Sequence, residues 1–216
     1  MLILWGRDSS ANVQKVAWLI GELGLEVDRK DVGGPFGGLD TPEYKALNPN
    51  QLIPTLQDGD VIVWESEAIL RYIGSKYGEV FFPEDLKRRA EVDQWMCWNQ
   101  SIWIPAIFSL FVAYMKTPAN KRDPNHFLQL ENSVNSVTAF IDDQLRPREY
   151  IAGDELSLAD FSFAAWLYRY YTLEVDWPER LALKDYYERL CSRKAFVRHV
   201  HISYEFMRVP GAERPG

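Results

Sequence analysis

The chain is expected to fold as a small α/β domain with a mixed sheet, followed by an all-α helical domain. Three observations predict this. The first 80 residues alternate between strand-like and helix-like apolar periods, in the order βαβ, short helix, ββα. Asp58-Gly59 lies between two apolar runs and marks a tight hairpin. From Glu84 to about Val200 the apolar spacing is helical, punctuated by Pro105, Pro118, Pro124, Pro147 and Pro178, with no convincing strand.

Leu2–Trp5 reads as a short buried strand. Val13, Val16, Ala17, Ile20 and Leu23 follow at helical spacing, and Gly24 ends that helix. Leu25–Val32 is a second strand, and the run from Gly33 to Gly38, with four glycines in six residues, is a flexible loop. Thr41-Pro42-Glu43 offers an N-cap and a first-turn proline for a short helix over Glu43–Leu47. Ile53–Gln57 and Val61–Trp64 form the hairpin, and Ser66–Tyr77 is a helix. A strand–helix–strand start implies a parallel pair with a right-handed crossover. The added hairpin makes the sheet mixed, a thioredoxin-like arrangement. The segment Gly78–Pro83 is a connector, so domains are expected at 1–79 and 84–208. In the second, Ser157-x-x-Asp160 is a capping box, a folding signal rather than chemistry. The tail Val209–Gly216 is expected to be loose.

Composition narrows the function. Of 216 residues, 47% are hydrophobic and 25% charged, which is ordinary for a folded soluble protein. The formal charge of -7 argues against nucleic-acid binding, which needs basic patches. Cys97 and Cys191 are far apart and are read as reduced, half-buried thiols in a cytoplasmic protein. His126, His199 and His201 lack zinc spacing, so no metal is expected. The longest apolar stretch, Ile102–Met115, is shorter than the roughly 20 residues of a membrane span, and no membrane partner is expected.

The segment Asn48–Ile69 is the most informative part of the chain. It can hold a small peptide, with backbone at Ile53 to pair with it, an acid for its amine and a helix mouth for its carboxylate. Pro54 heads a strand, where its missing N–H does no harm. Ser66 stands where the third helix begins, as a cap or as part of an anion site.

Asn48-Pro49 with Ile53-Pro54, Trp64-Glu65-Ser66-x-Ala68-Ile69, Ser10-x-Asn12 at the first helix and Gly153…Ser157-x-Ala159-Asp160 occur in one order over nearly the whole chain. In this the chain resembles the cytosolic glutathione transferases, nearest to bacterial theta-like and nu-like enzymes. The resemblance implies glutathione as co-substrate, a small electrophile, a homodimer and a role in detoxification. It implies a cis bond before Pro54, backbone pairing by Ile53, the γ-glutamyl carboxylate on Ser66 and its amine on Glu65. Gln51 would meet the glycyl carboxylate. No cation is evident beside it, and Lys45 or Arg7 would supply one. Ser10, with Asn12 as a second donor and Ser9 as rival, would stabilise the thiolate. Glu67 stands where delta-like relatives carry arginine and is expected on the solvent side.

Trp103, Ile107, Phe111 and Tyr114 fall on one helical face. Such a stripe serves as core, or Trp103 and Tyr114 line the electrophile pocket between the domains. Two other functions fit the same fold: a glutathione-dependent disulfide reductase or peroxidase, and a non-catalytic binding protein. No cysteine occurs in the first 80 residues, which disfavours a mechanism through a protein thiol.

Overall fold

The computed structural model describes residues 1–212. Strand β1 (Leu2–Trp5) sits inside a four-stranded sheet of order β2-β1-β3-β4, with β2 at Val27–Lys30, β3 at Thr55–Asp58 and β4 at Val61–Trp64. β1 pairs parallel to β2, antiparallel to β3, and β3 antiparallel to β4. The parallel pair is bridged by helix α1 (Ala11–Glu22), whose apolar face is fully buried at Val13, Val16, Trp18 and Leu19. A βαβ crossover must lay its helix on the sheet in this way. The hairpin register pairs Asp58 with Val61, so the two-residue turn is Gly59-Asp60, one position later than the dipeptide that signals it. β2 is shorter than expected because only Val27–Lys30 finds the β1 ladder.

Helix α2 (Pro42–Leu47) starts as its sequence predicts: Thr41 caps it, accepting from the Tyr44 N–H at 3.2 Å, and Pro42 opens the first turn. Helix α3 (Ser66–Tyr77) lies on the sheet through Ile69, Leu70 and Ile73. Asp58 anchors the hairpin to it, accepting from Tyr72 Oη at 2.8 Å, Tyr77 Oη at 2.6 Å and Lys76 Nζ at 2.6 Å.

The second domain is helical: α4 (Leu86–Trp98), α5 (Ile104–Lys116), α6 (Pro124–Leu145), α7 (Leu158–Ala164), α8 (Leu167–Thr172), α9 (Leu181–Cys191) and α10 (Lys194–Val200). A π-turn over Asn99–Trp103 joins α4 to α5, so Leu86–Lys116 runs as one 31-residue helix. Length and composition would let it cross a membrane; in this fold α5 packs on α6, and α4 on α7. The Ser157–Asp160 capping box is formed. Asp160 accepts from the N–H groups of Ser157 at 2.8 Å and Ile151 at 2.9 Å, and from Tyr186 Oη at 2.9 Å. Burial pushes its carboxyl up to about 6, against the pull of these donors.

The two domains share one core. Trp18 of α1 meets Phe161 of α7 and Phe196 of α10, with ring centroids 4.3 and 4.8 Å apart. Offset and edge-on aromatic pairs of this kind add to the burial energy. Two expectations are corrected. Cys97 is exposed, and only Cys191 is half-buried. The tail is tied down as far as Ala212: Val209 N–H donates to Met115 O at 2.9 Å, and Arg122 Nη2 to Ala212 O at 2.6 Å. The expectation for 213–216 lies outside the described residues.

Candidate active site

The turn leaving β1 delivers Ser10 to the N-terminus of α1. Ser10 occupies the N-cap in an extended conformation (φ -81°, ψ 122°), and its side chain makes no capping hydrogen bond. The hydroxyl is therefore available to a ligand beside the positive end of the helix dipole, with no acidic residue in the first turn. Asn12 is exposed in that turn. Ser9 is buried (6% exposed), and its carbonyl accepts from Arg169 Nη2 at 2.8 Å.

The loop before β3 packs against this turn. Gly6 (φ +145°) has no room for a side chain, since a Cβ there would lie 2.5 Å from Val13 Cγ2 and 3.2 Å from Ile53 Cβ. The Ile53–Pro54 peptide bond is cis. Asn48, buried at the start of the loop, donates from Nδ2 to Leu52 O (2.9 Å) and Thr55 Oγ1 (3.1 Å), and its Oδ1 accepts from Asn50 N–H (3.0 Å). Tyr44 Oη adds a second donor to Leu52 O at 2.6 Å. These bonds leave the Ile53 N–H and C=O without partners in the described chain. Tyr44 carried no motif and was missed by sequence reading.

Glu65 forms the N-cap of α3, with φ 71°, and Ser66 is the first helical residue, 5% exposed. This moves Ser66 one place into the helix from the cap position. Glu65 is exposed, and no ion pair among the described residues holds its carboxylate. Gln51 and Glu65 are the two non-glycine residues with positive φ among the described residues.

Glu67 departs from its expected solvent position. Its Oε1 accepts from Lys15 Nζ (2.9 Å), Gln100 Nε2 (2.7 Å) and Ser162 Oγ (2.9 Å), while Oε2 is buried without a partner. Lys15, fully buried on α1, draws the carboxylate inward. A buried ammonium requires a paired anion.

A cavity of about 110 Å³ opens between the domains at Ser10. Arg7, Ser9, Ser10, Ala11 and Asn12 form its first-domain wall; Phe108, Phe111, Trp166, Arg169 and Met207 form the other. Arg169 is 2% exposed and held by Gln14 Oε1 at 2.9 Å and Ser9 O at 2.8 Å. Burial pulls its guanidinium down to about 10, so it stays charged at neutral pH. Its guanidinium carbon lies 5.1 Å from the Trp166 ring centroid.

Trp103 and Tyr114 do not reach this cavity. Trp103 is fully buried, and its Nε1 donates to Phe163 O at 3.3 Å. Tyr114 donates to Glu131 Oε1 at 2.5 Å and faces a different cavity, beside Arg122 and Glu174. Their stripe packs into the core, as aromatic stripes at helical spacing usually do, and only Phe111 of it touches the site. Phe108, Trp166, Arg169 and Met207 were missed. Arg169 was discoverable as the lone charge in the aromatic run Phe161–Tyr171.

The chain matches the family model described as Glutathione S-transferase, N-terminal domain over residues 1–75, and that described as Glutathione S-transferase, C-terminal domain over residues 102–194. It is 32% identical over 205 residues to glutathione S-transferase GstB of Escherichia coli (strain K12), a match covering 94% of this chain and 99% of that protein. It is 29% identical over 178 residues to glutathione S-transferase 1 of Schizosaccharomyces pombe, covering 76% of this chain and 73% of that one. Among solved structures, the glutathione-bound theta class glutathione S-transferase of Xanthomonas axonopodis pv. citri superposes with a TM-score of 0.88 at 35% identity, covering 94% of this chain and 98% of that one. Glutathione transferase F7 of Populus trichocarpa gives 0.81 at 27% identity, covering 93% and 98%. A likeness that runs end to end carries both domains together, and on that ground the chain belongs to the glutathione S-transferase family of transferase enzymes.

Proposed function

We propose that this protein binds glutathione over Ile53, Glu65 and Ser66, activates its thiol with Ser10, and directs the thiolate at an electrophile with an apolar body. One observation carries this reading. Gln51 and Glu65, the two non-glycine residues held at positive φ among the described residues, bracket the β3–β4 hairpin, Gln51 just before Ile53 and Glu65 just after β4. Such a conformation costs on the order of 1–3 kcal/mol each and persists where function requires it. Both are residues to which the family resemblance gives a glutathione contact.

In this reading the cysteinyl backbone pairs with the unpartnered Ile53 N–H and C=O, beside Pro54. The γ-glutamyl carboxylate sits at the N-terminus of α3 on Ser66, and its amine meets the unpaired Glu65 carboxylate. Gln51 serves the glycyl carboxylate, with Lys45 of α2 exposed and unpaired among the described residues, nearby in sequence. The thiol, of ordinary pKa near 8.5, meets the Ser10 hydroxyl at the α1 dipole, with Asn12 as a second donor. A shift of two pKa units requires about 2.7 kcal/mol of preference for the anion. The thiolate attacks the electrophilic carbon, a C–S bond forms, the leaving group departs with its electron pair, and the thiol proton passes to solvent. Phe108, Phe111, Trp166 and Met207 supply the apolar wall.

We assign residues 1–79 to the glutathione-binding domain and 84–208 to the domain that completes the electrophile pocket. We assign the protein to a cytoplasmic, detoxifying homodimer. Val61, Ile62 and Trp64 of β4 are exposed, and so is Phe140 beside Trp98, at a ring distance of 5.5 Å. These exposed apolar side chains would be covered in such a dimer. Sedimentation should return twice the 25.1 kDa of one chain.

The test of the reaction is a comparison of initial rates with 1-chloro-2,4-dinitrobenzene and with a mixed disulfide of glutathione. Aryl transfer supports the proposal. Disulfide turnover alone replaces it with a reductase. Neither activity, with no glutathione complex and an intact dimer, replaces it with a binding protein.

A further inference from the structure

We infer that the electrophile carries an anionic group, a carboxylate or sulfonate, which pairs with Arg7. This rests on the proposed transferase reading and names the substrate class of the same site.

Arg7 lines the cavity beside Ser10, half-buried, and its Nε is buried without a hydrogen-bond partner. No acidic side chain among the described residues pairs with it, and burial lowers its pKa. Buried charges in folded proteins are normally paired. The loop over it is shaped to its stem. Gly34, at φ +59°, would place a Cβ 3.3 Å from Arg7 Cδ and Nε, so any side chain there would press on the guanidinium. A second donor in the cavity wall, Trp166 Nε1, is also buried without a partner. Arg169 adds a second positive charge, and its hydrogen bonds to Gln14, Ser9 and Ala165 leave that charge unneutralised by any carboxylate among the described residues.

None of the ten residues lining the cavity is acidic, although the chain as a whole carries -7. A cationic, low-dielectric cleft in an acidic protein concentrates anions and repels none. Phe108, Trp166 and Met207 hold the apolar body, and the fork of Arg7 takes the carboxylate in bidentate fashion. The thiolate then displaces a leaving group, such as chloride, from carbon.

The test uses 4-chloro-3,5-dinitrobenzoate and its uncharged methyl ester with the intact enzyme, Arg7→Gln and Arg7→Lys. The ratio of kcat/KM for the acid to that for the ester is expected to fall at least tenfold in R7Q and to recover in part in R7K. The ester rate reports that each variant is folded. An unchanged ratio in R7Q overturns the inference while leaving the transferase reading intact. So does an equal loss with both electrophiles caused by a raised KM for glutathione, which would assign Arg7 to that substrate. Turnover of neither compound by the unmodified enzyme overturns the transferase reading and the inference with it.

Discussion

Lys15 Nζ lies 2.9 Å from Glu67 Oε1, joining the buried face of α1 to the first turn of α3. The same oxygen accepts from Ser162 of α7 and from Gln100 in the π-turn, so four segments from both domains meet one residue beyond Ser66. Lys15 is fully buried and has no other side-chain partner among the described residues. Removing one member of a buried pair leaves an uncompensated charge, which costs about 3–5 kcal/mol. Glu67→Ala is therefore expected to lower the unfolding free energy by about 3 kcal/mol in urea titrations. Lys15→Met in the same chain should recover much of that loss. A loss below about 0.5 kcal/mol, the range of an unremarkable surface change, would contradict this account.

Ser10 caps α1 without using its hydroxyl, so its removal should cost chemistry more than folding. Ser10→Ala is expected to lower kcat at least about tenfold, equivalent to about 1.4 kcal/mol in the barrier, with little change in the KM for glutathione. Steady-state kinetics would check this. Unchanged turnover would move the role to Asn12 or Ser9.

Asn48 holds the loop that presents Ile53 through three hydrogen bonds. Asn48→Ala is expected to destabilise the protein by about 2 kcal/mol by orphaning buried groups. It should also raise the KM for glutathione about fivefold, about 1 kcal/mol. Calorimetry and kinetics on one preparation would test both; a stability loss with unchanged KM would detach the loop from glutathione binding.

Asp58 joins the hairpin to α3 and carries a pH signature. Its carboxyl is held at about 2 by Lys76 first and by Tyr77, against an ordinary 3.8. A carboxyl lowered in the folded state contributes stability that is complete above its unfolded value and is lost as pH falls through its folded value. Asp58→Asn should therefore lower Tm at pH 7. The gap to the unmodified protein should shrink between about pH 4 and pH 2, followed by circular dichroism. A gap independent of pH would contradict this.

The fold was legible because its signals are local. Thr41-Pro42, Gly24 after α1 and Ser157-x-x-Asp160 each act within a few residues. The residues proposed to face glutathione could be named for the same reason, being clustered between Asn48 and Ser66. The cavity's far wall was not. Phe108, Trp166, Arg169 and Met207 come from α5, the α7–α8 junction, α8 and the C-terminal segment, which only the packed domains bring together. Periodicity showed that Trp103 and Tyr114 share a face, but not what that face meets. Glu67 was misplaced because its partner, Lys15, is 52 positions away and is itself a charged residue on an otherwise apolar helix face.

In the proposed mechanism the Ser10 end of α1 makes glutathione's thiol a thiolate at neutral pH. An ultraviolet titration of the thiolate absorbance of glutathione in the presence of saturating protein, with Ser10→Ala beside it, measures this. A thiol pKa at least one unit below its ordinary value of about 8.5 is expected, with a return toward that value in Ser10→Ala. A titration of bound glutathione indistinguishable from that of free glutathione would contradict it.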